Sequence, residues 1–397
     1  MAPRLTILLP LKGRHLFTLR FLWHANKARL PYRFLIADGE VHPELARILV
    51  DSRKTFPELD IEYVQYPDDV DFQHYYAKIV DALKRVRTPY VKFADNDDFL
   101  ARAGLDCCMD FLDAHPDYVC CSGGIGGFSV KPPMRDPFGR VVGPFNKLSY
   151  HYAPRDRSVD LNSSSTINRV LAGLRNTWNF HAVFRTSPLA LMWHEVQEMA
   201  PTSFQLQERF FAMRTLTIGK ARCRAGIFSY LRQYWTSLQL HWPSSNTDMR
   251  KDFVHYLLRS SFTEDVANIL KIVSRFIAEH DGGEPAKITE QLREPLAEWV
   301  GDIIRLDFGP YATLRRYVRS HAPWLVAWLK TRRRVAILVE RNNLFRKLRE
   351  DGATPEYLAK FRRELAQIEG VLTGYEFKQF LQQHMLKLQT PRYRITM

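Results

Sequence analysis

The stretch YVKFADNDDFL, Tyr90–Leu100, decides the fold of this chain. Its β-branched and aromatic residues are typical of a buried strand, and that strand ends in an acidic turn, Asp95–Asp98. Carboxylates this close raise each other's pKa, so such a cluster usually persists where a cation or a group of hydrogen-bond donors lies among them. An Asp-rich turn or a helix N-cap is the alternative interpretation, since Asp and Asn favour both.

Strands and helices alternate around this stretch. A short apolar run, Arg4–Leu11, precedes the basic turn Lys12–Arg14, and a second run, Tyr32–Ala37, ends at Asp38. Apolar residues at helical spacing fill the intervals between the runs. This alternation predicts an α/β fold, a Rossmann-like, mostly parallel mixed sheet with helices on both faces. Ligands bind beyond the carboxyl ends of the strands in such sheets, which is where the basic turn, Asp38 and the acidic turn fall.

The pattern changes further along the chain. Tyr118–Cys121 predicts a strand that ends at a flexible glycine-rich loop, Gly123–Gly127, and Thr177–Arg185 predicts another strand. From about Lys251 onward, helical spacing dominates and strand signals nearly vanish. We therefore predict an α/β unit, 1–245, followed by an all-helical C-terminal unit, 246–397.

Composition restricts the class of protein. Of the 397 residues, 46% are hydrophobic and 25% are charged, which is ordinary for a folded protein and excludes large-scale disorder. The formal net charge of +14 favours an anionic partner, such as nucleic acid, a membrane surface or a phosphorylated substrate. Because no apolar run approaches the roughly 20 residues that span a bilayer, a cytoplasmic location is expected.

Three segments, taken in order, resemble one family. RLTILLPLKGR, FLIADGE and YVKFADNDDF are similar to the opening strand and turn, the second strand with its acidic end, and the Asp-x-Asp strand of nucleotide-sugar glycosyltransferases of the family 2 type. Members of that family have the GT-A fold. The resemblance implies that 1–245 is a GT-A catalytic domain, whereas 246–397 resembles no segment of the family.

The resemblance implies roles for residues at the predicted sheet edge. Asp38 would contact the nucleoside and Asp95 the ribose side of the nucleotide, while Asp97 would bind a divalent cation on the diphosphate, with Asp98 as the alternative ligand. Mn²⁺ or Mg²⁺ is expected over zinc, because oxygen ligands dominate and no Cys or His lies beside them. The further residues predicted to bind the donor, several of them basic and suited to a diphosphate, are Pro10, Lys12, Arg14, Lys78, Asn96 and Arg232.

One acidic residue is the candidate catalytic base. The segment QLQERFFAMRTLTIG resembles the acceptor-side motif of the family, and its usual Glu-Asp pair here reads Gln207-Glu208, so Glu208 is the candidate at that spot. A carboxylate within hydrogen-bond reach can accept the proton of an attacking hydroxyl. The alternative is a helix N-terminal Glu favoured by the helix dipole. The late segment YLRQYWTS carries Arg232 but lacks the His present in many members.

These residues predict a metal-dependent, inverting glycosyltransferase. It would move a sugar, as a hexosyl or related group, from a nucleoside-diphosphate sugar, expected to be a UDP-sugar, to a glycan or lipid-linked acceptor in bacterial surface polysaccharide synthesis. Two alternatives stay open. One is a nucleic-acid-binding protein that exploits the positive charge, although no nucleic-acid motif is present. The other is an inactive nucleotide-sugar-binding scaffold, which the missing Glu-Asp pair and the missing late His favour.

A basic, aromatic segment follows Pro323. Trp324 and Trp328 lie near Arg332–Arg334, and aromatic anchors next to cations suit a helix on an anionic membrane surface. Peripheral contact with the inner face of a membrane is therefore one interpretation. A helix whose Trp side chains pack on the catalytic domain, with its charges solvated, is the other.

Overall fold

The computed structural model describes most of the chain. The described residues are 2–40, 42–131, 147–152, 159–174, 178–233, 256–308, 338–339, 341–374, 376–377, 379–380 and 383. The predicted boundary between 245 and 246 lies outside them, so the division into two units stays a prediction. Trp324, Trp328 and Arg332–Arg334 also lie outside the described residues.

One mixed sheet organises the described part of the chain. Its strands are β1 Leu5–Leu11, β2 Arg33–Asp38, β3 Asp60–Gln65, β4 Tyr90–Phe93, β5 Phe99–Leu100, β6 Tyr118–Lys131, β7 Lys147–Tyr152, β8 Val159–Leu161, β9 Val183–Arg185, β10 Lys220–Gln233 and β11 Leu338–Val339. The order is β11-β7-β6-β9-β4-β1-β2-β3, and β10 pairs with β5, β6 and β8. Strands β3, β2, β1 and β4 are parallel, whereas β9 is antiparallel to β4 and β6.

Helices connect these strands and follow them. They are α1 His15–Lys27, α2 Pro43–Val50, α3 Ser52–Thr55, α4 Phe72–Lys84, α5 Arg102–Ala114, α6 Thr166–Gly173, α7 Thr186–Met199 and α8 Phe204–Ile218, with a 3-10 helix at Trp178–His181. Two helices after β10 are Ser260–Asp281 and Pro285–Phe308, and the last two are Arg341–Glu350 and Pro355–Thr373. No helix among the described residues is both long enough and apolar enough to cross a membrane.

Helices cover both faces of the sheet. On one face Ile7 and Leu9 pack in a buried cluster with α1, α2, α5 and the last two helices. On the other face Leu8 packs with α4, α7, α8 and the two helices that follow β10. Alternate residues of a strand point to opposite faces, so β1 supplies both cores. The predicted α/β fold with helices on both faces is confirmed, and helices dominate the described residues after β10, with β11 as a short exception.

The predicted glycine-rich loop is wrong. Strand β6 continues through Gly123–Gly127, because it pairs with β10 on one side and with β7 on the other. A Cβ atom at Gly126 would lie 2.3 Å from the Leu231 side chain, so glycine lets the side chains of β10 lie close against β6. The glycines therefore serve strand packing at this position.

The predicted strand Thr177–Arg185 is mostly wrong as well. Its described part begins as the 3-10 helix Trp178–His181, and only Val183–Arg185 is extended. The Ala182 amide donates to the Asn179 carbonyl oxygen over 2.9 Å, which closes the turn. This local hydrogen bond competes with strand pairing, and the turn directs His181 toward the sheet edge described next.

Candidate active site

The strand ends predicted to carry the site meet at one edge of the sheet. Leu11 pairs with Asp38, so β1 and β2 end level with each other. The Ala94 amide donates to the Leu8 carbonyl oxygen over 3.0 Å, which brings the acidic turn Asp95–Asp98 out of β4 close to the end of β1. The parallel register therefore gathers the basic turn, Asp38 and the acidic turn.

The three carboxylates of the acidic turn have different environments. The side chain of Asp95 is 49% exposed, that of Asp97 is 19% exposed and that of Asp98 is 5% exposed. Asp97 accepts a hydrogen bond from Arg14 over 2.9 Å, and Asp98 accepts one from the Gln233 amide over 3.2 Å. Burial raises the pKa of Asp98 well above its usual value, and the charges of Asp95 and Asp97 raise it further. Asp95 and Asp97 are thus open to a ligand, whereas Asp98 is enclosed.

Polar groups from α1 support the backbone of the acidic turn. Arg20 donates to the carbonyl oxygen of Asp97 over 2.7 Å and to the side-chain oxygen of Gln233 over 2.6 Å. Asn96 donates to the hydroxyl oxygen of Thr18 over 3.0 Å, so its side chain is directed at α1. These contacts hold the turn in place. Binding of the nucleotide-sugar donor by Asn96 stays a prediction.

A buried cationic group lies beneath the turn. Lys92 donates to the His181 carbonyl oxygen, and its ammonium lies 4.6 Å from the centre of the Tyr230 ring. Burial lowers the pKa of Lys92 to about 8. Arg232 lies 2.9 Å from Nε2 of His181, and Asp95 lies 3.9 Å from the same nitrogen. A narrow cavity here is lined by Lys92, Phe93, Ala94, Asp95, Asp98, Leu100, His181 and Tyr230.

A buried ion pair connects the loops that follow β1, β2 and β3. Lys78 lies 2.5 Å from the carboxylate of Asp69, and the two side chains are 1% and 3% exposed. Lys78 also donates to the Leu11 carbonyl oxygen over 3.2 Å, and Lys12 donates to the backbone oxygen of Asp69. A Cβ atom at Gly39 would lie 2.0 Å from the Asp69 carboxylate, so only glycine fits there. Both lysines therefore hold the loops in place.

Replacing Lys78 by Met is expected to lower the free energy of unfolding by about 3 to 5 kcal/mol, because it leaves Asp69 buried without its partner. Chemical denaturation of the variant and the parent measures this loss. Lys84→Met on the exposed side of the same helix is the control and should change stability by less than about 0.5 kcal/mol. Equal effects of the two substitutions would contradict the role given to the pair.

Asp38 is fully buried at the end of β2. Tyr63 donates its hydroxyl to one carboxylate oxygen over 2.8 Å, and the Glu40 amide donates to the other over 3.1 Å. Burial raises the pKa of Asp38, and these hydrogen bonds lower it. Asp38 thus stabilises the loop after β2, and its predicted contact with a nucleoside stays a prediction. Pro10, next to the end of β1, pairs with Ala37 in the sheet.

Glu208 is the fifth residue of α8, beyond the first turn in which the helix dipole favours a carboxylate. It is partly buried and has no hydrogen-bond or ion-pair partner within the part of the chain that the structure describes. Burial raises its pKa, the charges of Arg209 and Arg232 lower it, and that of Asp95 raises it. These effects place Glu208 within electrostatic range of the acidic turn.

Two residues of this site escaped the sequence analysis. Asp69 lies in the loop after β3, whereas Asp38 is the last residue of β2, so the search for acidic residues at the ends of the strands extends to Asp69 only when the loop is included. Lys92 is a charged residue within an otherwise apolar strand, which is also a recognisable signal.

Several solved structures are similar to this chain at low sequence identity. No protein-family model and no curated protein matches the chain. The structure is similar to residues 1–349 of S. aureus TarS in complex with UDP-GlcNAc, at 13% identity and a TM-score of 0.44, over 93% of this chain and 81% of that chain. Against S. aureus TarS as a whole, the likeness has 15% identity and a TM-score of 0.45, and it covers 78% of this chain but only 44% of that chain.

A second similar structure is the mannosyltransferase PcManGT from Pyrobaculum calidifontis in complex with GDP-Man and Mn²⁺. Its identity to this chain is 12% and its TM-score is 0.38, over 92% of this chain and 87% of that chain. Likeness this distant leaves the function to be argued from the residues of the site.

Proposed function

We propose that this chain is a glycosyltransferase that uses a nucleoside-diphosphate sugar. The observation that carries the proposal is the meeting, at one sheet edge, of two open carboxylates and two guanidinium groups. The charges of Asp95 and Arg232 also act on Glu208, which has no hydrogen-bond or ion-pair partner among the described residues. Asp95 and Asp97 supply the carboxylates, and Arg14 and Arg232 supply the guanidinium groups. A sugar that leaves a diphosphate needs cations around the phosphate oxygens and a base for the attacking hydroxyl, and these residue types meet both needs.

The residues of the acidic turn fit a hard divalent cation in part. Asp95 and Asp97 offer oxygen ligands that suit Mn²⁺ or Mg²⁺, whereas Asp98 is enclosed and bonded to a backbone amide. No three His, Cys, Asp or Glu side chains of the described residues converge as a metal site. One or two carboxylates with substrate phosphates are the usual set for Mg²⁺. Asp97, or Asp95 beside it, would therefore hold the cation, which supplies positive charge to the departing diphosphate when bound.

Glu208 is the base in the proposed transfer step. Its carboxylate takes the proton of the acceptor hydroxyl while the hydroxyl oxygen forms a bond to the anomeric carbon. The bond from that carbon to the diphosphate oxygen breaks, and the nucleoside diphosphate leaves with the electron pair. Attack from the side opposite the diphosphate inverts the configuration at the anomeric carbon. Arg14 and Arg232 offset the charge that develops on the phosphate oxygens.

The finer features of the function are part of the same proposal. We expect a UDP-sugar as donor, a glycan or lipid-linked acceptor, and a place in bacterial surface polysaccharide synthesis at the cytoplasmic face of the membrane. The segment with Trp324 and Trp328 lies outside the described residues, so peripheral membrane contact depends on its sequence alone.

Thermal unfolding with a panel of nucleotide sugars, with and without Mn²⁺, tests the proposal. One nucleoside-diphosphate sugar should raise the melting temperature, and more so with Mn²⁺. A ligand at 100 times its dissociation constant adds about 2.7 kcal/mol to the free energy of unfolding. Product analysis then separates transfer from binding alone, which would favour the inactive scaffold. No stabilisation by any nucleotide sugar, with salt-sensitive binding of RNA or duplex DNA instead, would favour the nucleic-acid alternative.

A further inference from the structure

Three aromatic side chains from two helices form a partly exposed surface, here called the aromatic shelf: Phe72 and Tyr75 of α4, and Phe204 of α8. The Phe204 ring centre lies 4.8 Å from that of Phe72 and 5.5 Å from that of Tyr75. Phe204 is 37% exposed, which makes it one of the few large apolar residues left open in the described structure. Exposed aromatic clusters of this kind commonly mark binding surfaces.

The aromatic shelf lies between the strand-end loops and the candidate base. Phe204 and Glu208 are four residues apart on α8, so they share one face of the helix. On the other side, the ammonium group of Lys78 lies 5.1 Å from the centre of the Tyr75 ring. Burial raises the pKa of the Tyr75 hydroxyl, and the charges of Asp95, Asp69 and Glu208 raise it further. These three carboxylates therefore lie close enough to Tyr75 for their charges to act on it. A molecule on the shelf would lie beside Glu208.

The chemistry of the shelf suits a sugar ring. One face of a pyranose consists of C–H bonds with small positive partial charges, and the face of an aromatic ring is negative. The hydroxyls at the edge of the sugar need hydrogen-bond partners. The carboxylate of Glu208, four residues from Phe204 on α8, can accept a hydrogen bond from such a hydroxyl.

We infer that the aromatic shelf is the acceptor subsite and that it binds a pyranose ring stacked on Phe204, with one hydroxyl directed at Glu208. The inference rests on the proposed glycosyltransferase function and names the chemical class of its acceptor. The occupant is a sugar and not an acyl or isoprenoid chain, because the shelf borders the Glu208 carboxylate, which a hydroxyl can satisfy with a hydrogen bond and an alkyl chain cannot. Phe204 is thus a specificity-determining residue.

Saturation-transfer NMR with methyl glycosides of common hexoses as probes tests the subsite on the full chain. Phe204→Ala should weaken binding of the methyl glycoside that binds the parent protein about fivefold to tenfold, the range expected for one aromatic contact. Phe204→Trp should keep the affinity, and Phe204→Leu should lose it, since leucine is apolar without a π face. Leu258→Ala, an exposed apolar truncation elsewhere on the chain, is the control.

Donor binding separates this test from that of the proposed function. The rise in melting temperature caused by a nucleotide sugar should be the same in Phe204→Ala and the parent. If the parent shows no such rise, the glycosyltransferase proposal fails and the inference fails with it. If the rise is intact, the subsite alone is overturned by any of three results: no glycoside binds the parent, Phe204→Ala binds it equally well, or Phe204→Leu matches the parent.

Discussion

Glu208→Gln is expected to lower kcat by at least about a hundredfold, the usual contribution of a positioned base, while the affinity for the nucleotide sugar stays unchanged. The amide keeps the size and shape of the side chain but cannot accept the proton of the acceptor hydroxyl. Glu208 has no hydrogen-bond or ion-pair partner within the described part of the chain, so the substitution disrupts no structural contact recorded there. Steady-state kinetics with calorimetric titration of the donor measures both quantities.

The pH dependence gives an independent measure of the same role. Burial raises the pKa of Glu208, so this carboxylate takes up its proton at a higher pH than an ordinary glutamate. A base must be ionised to act. The rate should therefore be constant above the raised pKa and fall as the pH decreases through it. The rate of Glu208→Gln should not show this fall at low pH. The rate of Glu198→Gln, a change at an exposed carboxylate of α7, should still show it. An unchanged kcat in Glu208→Gln would remove Glu208 as the base.

Asp97→Asn is expected to weaken the Mn²⁺-dependent part of nucleotide-sugar binding more than tenfold and to lower transfer by about a hundredfold or more. The variant loses the negative charge that would hold the cation, and a bound cation contributes several kcal/mol to a developing phosphate charge. The fold should stay intact, because Asp97 and its partner Arg14 are 19% and 40% exposed and such pairs contribute about 0 to 1 kcal/mol. Titration of the nucleotide sugar at several Mn²⁺ concentrations measures the effect.

A matched ion pair elsewhere provides the control for Asp97→Asn. Arg4 and Asp110 form an ion pair over the same 2.9 Å, so Asp110→Asn removes an arginine-paired, more exposed carboxylate away from the acidic turn. It should leave Mn²⁺-dependent binding unchanged. Asp98→Asn should differ from both, because Asp98 is enclosed and its loss is expected to lower stability as well as activity. An Asp97 variant with normal Mn²⁺ dependence would show that the cation, if used, is held elsewhere.

Local sequence patterns predicted the frame of this site. Apolar periodicity located the parallel strands β1, β2 and β4, and each of these is followed by polar residues. Because parallel strands present their carboxyl ends at one edge, the convergence of Arg14, Asp38 and Asp95–Asp98 followed without knowledge of any long-range contact.

What sequence by itself determined is therefore the alternation of strands and helices and the acidic and basic ends of the strands, because both depend on residues near one another in the chain. Tertiary structure alone decided that Gly123–Gly127 is strand, that His181 reaches Arg232, and that Phe204 lies against Phe72. These outcomes depend on which distant strands and helices pack together. Periodicity reports the face that a residue occupies, and it carries no information about the partner on that face.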